Sequence, residues 1–269
     1  PEGPALPPVF ALMGTFFGIE LNTADDLINI QLPESAAAQF GGATSLPAAQ
    51  LFNFLLLLND PDSLPPGVEL PPLVSTINPS AIIGSLSPEV IEFIAQYDPT
   101  FLPTLSADVY ESFSDAILAL PQAGPPLADV WDTLAGQPQF EERPLNTAAD
   151  LLAIGDGKAS TVLNTINETV PEQFAGYEVR LLDSLTAATV RYFVQQEPGF
   201  FASLDADALT KLSPPVLALL PEDVLAGLDE NTAAAVRAIA SGEQESAAQV
   251  LAAQYTTNLP PADPAAPPL

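Results

Sequence analysis

SLSPEVIEFIAQYDPTFLPTLSADVYESF, residues 85–113, decides how the chain reads, together with a later echo of it at 184–228, SLTAATVRYFVQQEPGFFASLDADALTKLSPPVLALLPEDVLAGL. Both repeat one short phrase: a Leu, then Ser, Thr, Asp or Pro, then a small or acidic residue, then a branched apolar one. In LSPEVIEFI, Ser87 suits a helix N-cap, where its hydroxyl would accept from a free first-turn amide. Pro88 suits the first helical position, whose amide has no partner in any case. Glu89 places negative charge at the positive end of the helix dipole. Val90, Ile91, Phe93 and Ile94 then give an apolar face at helical spacing, and Pro99 stops the helix at or before Asp98. The phrase is a helix start signal.

Read with that key, the chain is a run of short helices. Asn78 starts SAIIG, Ser106 caps ADVYESFSDAILAL as one helix, and Thr186 caps AATVRYFVQQ. Asp205, Ser213, Pro221 and Asp229 begin four more, and longer helices are expected over 47–59 and 244–255. STVLNTI at 160–166 is β-branched, but its Ala-, Leu- and Glu-rich surroundings favour helix. No alternating pattern is sustained, so the expected class is all-α, with helices too short to persist without packing.

A longer repetition overlies the phrase. ELNTADDLINI (20–30) recurs as PLNTAADLLAI (144–154), each offering Thr23 or Thr147 with Asp26 or Asp150 three residues on, a carboxylate form of the capping box. Residues 93–121 align on 192–221 in the same order. We expect an internal duplication, with a first helical unit at 1–138, a second at 139–258 and a Pro-rich linker at 259–269. The single Trp131 lies near the junction, where burial between the units would suit it.

Composition excludes several functions. Six Lys and Arg against 34 Asp and Glu give a net charge of −28, and no cation precedes Arg143. Phosphate recognition needs clustered cations, so nucleic acid and anionic lipid headgroups are not expected partners. With no His and no Cys, Ser–His hydrolase, thiolate and common zinc chemistries have no residues to use. Apolar residues at 48 % place the chain among globular rather than disordered sequences. The most apolar runs, 9–19 and 51–58, fall short of the roughly 20 residues that span a bilayer, so this chain is not expected to cross a membrane itself. It opens on PEGPALPP without Met or a leader-like stretch, which reads as a piece of something longer.

Candidate sites are few. Glu141 with Glu142, Asp205 with Asp207, and Asp25 with Asp26 are paired carboxylates that read as caps and surface charge before they read as acid and base. NDPDSLPPGVE (59–69) offers Asp60 and Asp62, but Leu64 takes the next ligand position and breaks the calcium-loop pattern. GDGKAS (155–160) is too short for a phosphate loop and reads as a turn ending a helix, and Asn167-Glu168-Thr169 is a formal glycosylation sequon. No catalytic, cofactor-binding or metal residue is expected. Phe193, Phe200 and Phe201 recur where the first half has its own aromatics, which suits core packing or, more sharply, an apolar groove for small amphiphilic ligands.

The order LNTADDL, SPEVIEF with DPTFLP, WDTLAGQPQF, LNTAADL, VLNTINETVPEQFAGYEVRLLDSL, LSPPVLALLPEDVL and PPADPAAPPL resembles the large extracytoplasmic helical insert of resistance–nodulation–division (RND) transporters of Chloroflexota type. The resemblance covers nearly the whole chain. It implies a non-catalytic extracytoplasmic domain of a proton-driven exporter, attached to the rest of that membrane protein and serving substrate passage or partner contacts. The porter subdomains of that superfamily are α/β, a departure from the strandless pattern here, and its proton-relay carboxylates have no counterpart to carry over. A stand-alone secreted or cell-surface protein-binding module is the alternative, and a hydrolase using paired carboxylates a third.

Overall fold

A computed structural model describes residues 3–37, 42–57, 78–135, 145–169 and 177–242. The described chain is all-α. In order it forms α1 (Pro8–Phe17), α2 (Ala24–Ile28), β1 (Ile30–Gln31), α3 (Glu34–Ala37), β2 (Ser45–Leu46), α4 (Ala48–Leu57), α5 (Pro79–Gly84) and α6 (Pro88–Tyr97). After a 3₁₀ turn at Leu102–Thr104 come α7 (Ala107–Ser112) and α8 (Asp115–Leu118). A second 3₁₀ turn, Asp129–Trp131, leads into α9 (Asp132–Ala135), α10 (Ala148–Ile154), α11 (Ala159–Thr169), α12 (Tyr177–Asp183) and α13 (Ala187–Gln196). A third, Phe201–Ser203, precedes α14 (Ala206–Leu209), α15 (Pro214–Leu217), α16 (Glu222–Gly227) and α17 (Glu230–Ala240). The two-residue strands pair antiparallel, Ile30 with Leu46.

The start signals hold as positions more than as hydrogen bonds. Ser106, Ser114, Asp205, Ser213, Pro221 and Asp229 all have extended backbone immediately before a helix. Asn78 accepts the first-turn amide of Ala81 and Asp229 those of Asn231 and Thr232, while Thr23 and Asp26 form the expected capping box. Ser87 makes no such bond; its side chain instead hydrogen-bonds Glu89 and holds that carboxyl below its usual range. The single helix expected after Ser106 is two, because Phe113 and Ser114 are extended and Ser114 begins α8. These starts fall eight residues apart, at 106 and 114 and again at 205, 213, 221 and 229. Most steps turn an apolar pair inward, as with Val109 and Tyr110, Ile117 and Leu118, or Val216 and Leu217, whereas Val224 and Leu225 of α16 are only half-buried. STVLNTI is helical, within α11. Expectations for the helix at 244–255 and the linker at 259–269 lie outside the described residues.

Packing divides the chain into two compact units that interleave in sequence. The first comprises residues up to Pro126 with Asn146–Asp150 and Ala188–Pro198; the second comprises Leu127–Leu145, Leu151–Ala187 and the residues from Gly199 onward. In the first unit α2 packs on α6, and α4 packs on α5, α7 and the Leu102–Thr104 turn. Phe52 of α4 sits at its centre, edge-on to Phe10 (6.3 Å) and to Phe101 (5.5 Å). All three rings are fully buried, each worth about 1.5–3 kcal/mol over exposure. In the second unit α11 packs on α12, α14 and the Phe201–Ser203 turn, and α17 covers α14 and α15. Trp131 is fully buried there and donates Nε1–H to Ser184 Oγ at 3.0 Å.

Matching positions of the two sequence halves make matching bonds. Asn53 Nδ2 donates to the Thr104 carbonyl (3.0 Å) and its Oδ1 accepts from Ser106 N (2.9 Å). Asn164 Nδ2 donates to the Ser203 carbonyl (2.9 Å) and its Oδ1 accepts from Asp205 N (3.0 Å). Asp26 Oδ2 accepts from Asn22 N, Thr23 N and Thr23 Oγ1, as Asp150 Oδ2 does from Asn146 N, Thr147 N and Thr147 Oγ1. The Pro4 and Pro125 carbonyls accept from Ala24 N and Ala148 N, both at 2.8 Å. Just before each, Gly3 and Gly124 press against helix backbone. A Cβ would come within 2.8 Å of Asp25 N at Gly3, and within 2.9 Å of Ala149 N at Gly124.

Candidate functional site

The rings expected to line a groove are core residues: Phe193 is 0 %, Phe200 1 % and Phe201 4 % exposed. Phe193 packs beside Tyr192 in the first unit, while Phe200 and Phe201 stack edge-on at 5.3 Å in the second. None presents an open face to a ligand.

Two clefts open in the first unit. One, of about 430 Å³, has Glu20, Asp25, Asp26, Asn29 and Gln31 among its lining residues, between the end of α1 and β1. Three carboxylates, Glu20, Asp25 and Asp26, share its wall. Asp26 is already committed to three donors at the start of α2, and Glu20 and Asp25 are exposed. The other, of about 390 Å³, runs along α6 past Glu92, Gln96 and Pro99 to Leu102 and Gln122.

The carboxylates of Asp207, Asp26, Asp150 and Asp229 are placed as architecture. Asp207 takes the Lys211 ammonium at 2.8 Å, and that bond holds its carboxyl below the usual range. The same ammonium donates to Asn167 Oδ1 at 2.6 Å, so the sequon asparagine lies within α11 with its side chain engaged. Thr23 with Asp26, Thr147 with Asp150 and Thr232 with Asp229 are hydroxyl–carboxylate pairs, formally the parts of a nucleophile and a base. Each stands at a helix start, where the carboxylate also accepts backbone amides. At Asp229 the Thr232 hydroxyl and these amides hold the carboxyl below its usual range, which weakens it as a base, the reverse of what activating a hydroxyl requires. In GDGKAS, Gly157 N donates to the Leu152 carbonyl at 2.7 Å, closing α10 as the turn expected there. Among the described residues no group of three or more Asp and Glu could hold a metal ion. Glu141, Glu142, Asp60 and Asp62 lie outside the described residues.

No family model matches the chain, and no curated protein or solved structure matches it. The site must therefore be read from its own geometry. Sequence reasoning missed Asn53 and Asn164, each of which bonds two backbone groups at matching places in the two halves. The available signal was the phrase LFN against VLN, an amide directly after an apolar pair in the middle of a helix, where Asn is otherwise a poor choice.

Proposed function

We propose that this chain is a non-catalytic helical scaffold built from one design used twice, acting as an extracytoplasmic domain of an RND-type exporter through partner contacts or substrate passage. The second copy of the design begins near Gly124, where the Gly–Pro–x–Leu phrase of residues 3–6 recurs. The observation that carries the scaffold reading is the matched set of bonds: the polar side chains that recur between the halves hold backbone to backbone. The exporter assignment rests on the phrases quoted above and on the strongly acidic, cation-poor composition. Among the described residues no helix is long and apolar enough to cross a membrane.

Reading the encoding gene on both sides of this segment tests the assignment. Several flanking apolar spans of about 20 residues are expected. A leader peptide followed by a stop soon after Leu269 would instead select the secreted module. If the spans are present, deleting residues 3–242 from the exporter should abolish substrate export while the remaining protein still inserts. Unchanged export would refute the role.

A further inference from the structure

α13 belongs by sequence to the second half of the chain and by packing to the first unit. It brings with it Arg191, the one cation among that unit's described residues. Its guanidinium is a three-way fork: Nε and Nη2 reach Asp115 Oδ1 (2.8 and 2.6 Å), Nη2 the Phe113 carbonyl (2.8 Å), and Nη1 the Glu111 carbonyl (3.4 Å). Gln196 Nε2 donates to the Leu118 and Ala119 carbonyls, Tyr192 Oη to the Pro121 carbonyl at 2.6 Å, and Ala188 N to Glu111 Oε1. The carbonyls are those left without helical partners near the ends of α7 and α8, where positive charge is favoured.

The matching helix of the first half has none of this. In the alignment of 93–121 on 192–221, continued toward the N-terminus, Arg191 stands opposite Glu92, Tyr192 opposite Phe93 and Gln196 opposite Tyr97; Glu111 and Asp115 stand opposite Thr210 and Pro214. The donor set and the acceptor set each occur once, so they specify a single junction. The exit from α13 is also distinct. Gly199, where the chain passes to the second unit, sits at φ +85°, and its counterpart is Thr100, which has no left-handed φ.

We propose that Ala188–Pro198 is a clasp: a separable segment that completes the first unit and is held closed by the Arg191 fork, opening without unfolding of the unit it completes. Hydrogen exchange on the full 269-residue chain tests it. Arg191→Ala should speed exchange of the amides from 188 to 197 about tenfold or more while those of α4 and α6 stay unchanged. Arg191→Lys, which keeps the charge but loses the fork, should give a smaller increase over the same residues. Unchanged exchange at 188–197 would overturn the proposal, as would equal acceleration across α4, α6 and α13, which would make α13 an inseparable part of the core. If Arg191→Ala fails to fold, Asp115→Asn and Gln196→Ala are read by the same pattern.

Discussion

Asn53 and Asn164 each satisfy two backbone groups across the turn that launches the next helix, and each is only partly exposed. Removing the carboxamide leaves a carbonyl and an amide without their partner, so Asn53→Ala and Asn164→Ala should each cost about 1–3 kcal/mol in urea denaturation. Asp or Leu at the same positions should rescue neither, since neither offers donor and acceptor together. A loss at one position and none at the other would separate the two halves. The Asp26 and Asp150 carboxylates gather three donors each and form the same kind of node at a helix start.

Among elements, helices whose cap residue makes a bond should respond differently from those whose cap residue only marks a place. Asp229→Ala should lower the melting temperature measurably, whereas Ser106→Ala should leave it nearly unchanged. Thermal melts of the two variants decide this, and equal losses would contradict it. The contrast also shows what the sequence made legible. The apolar pair and small polar leader of each phrase gave the all-α class, and they placed starts at Ser87, Ser106 and Asp205, because local patterning specifies those features. They did not reveal the break at Phe113, since SFSDAILAL lacks the Pro that marks the matching break at Ser213-Pro214. Nor did they reveal which side chains bridge elements. The bond from Asn53 to Thr104 spans 51 residues and that from Arg191 to Asp115 spans 76, and neither has a local periodicity to read. The three phenylalanines expected at a groove are legible in retrospect as core, for their counterparts in the first half include the buried Phe101.

Across the whole molecule, charge and buried tyrosines set the response to conditions. With a net charge of −28, self-repulsion opposes compaction, so moderate NaCl should raise the melting temperature; a fall would contradict that. With no His or Cys, stability should vary little between roughly pH 6 and 9. At the acid end, Asp207, Asp229 and Glu89 have folded pKa values below their unfolded ones, so their contribution is complete above the ordinary carboxylate range and is lost as pH falls through the lowered values. At the alkaline end the sign reverses. Burial pushes Tyr192 up to about 12 and Tyr110 higher still, so ionisation favours the unfolded chain and stability should decline above about pH 10. Melts across that range check both limbs; a stability maximum above pH 10 would contradict the alkaline one.

The most direct measurement is NMR of the asparagine side-chain amides in the intact protein. If one design is used twice, the carboxamides of Asn53 and Asn164 should both be protected from solvent exchange, with hydrogen-bond couplings to the carbonyls of Thr104 and Ser203 respectively. One carboxamide protected while the other exchanges freely would contradict that.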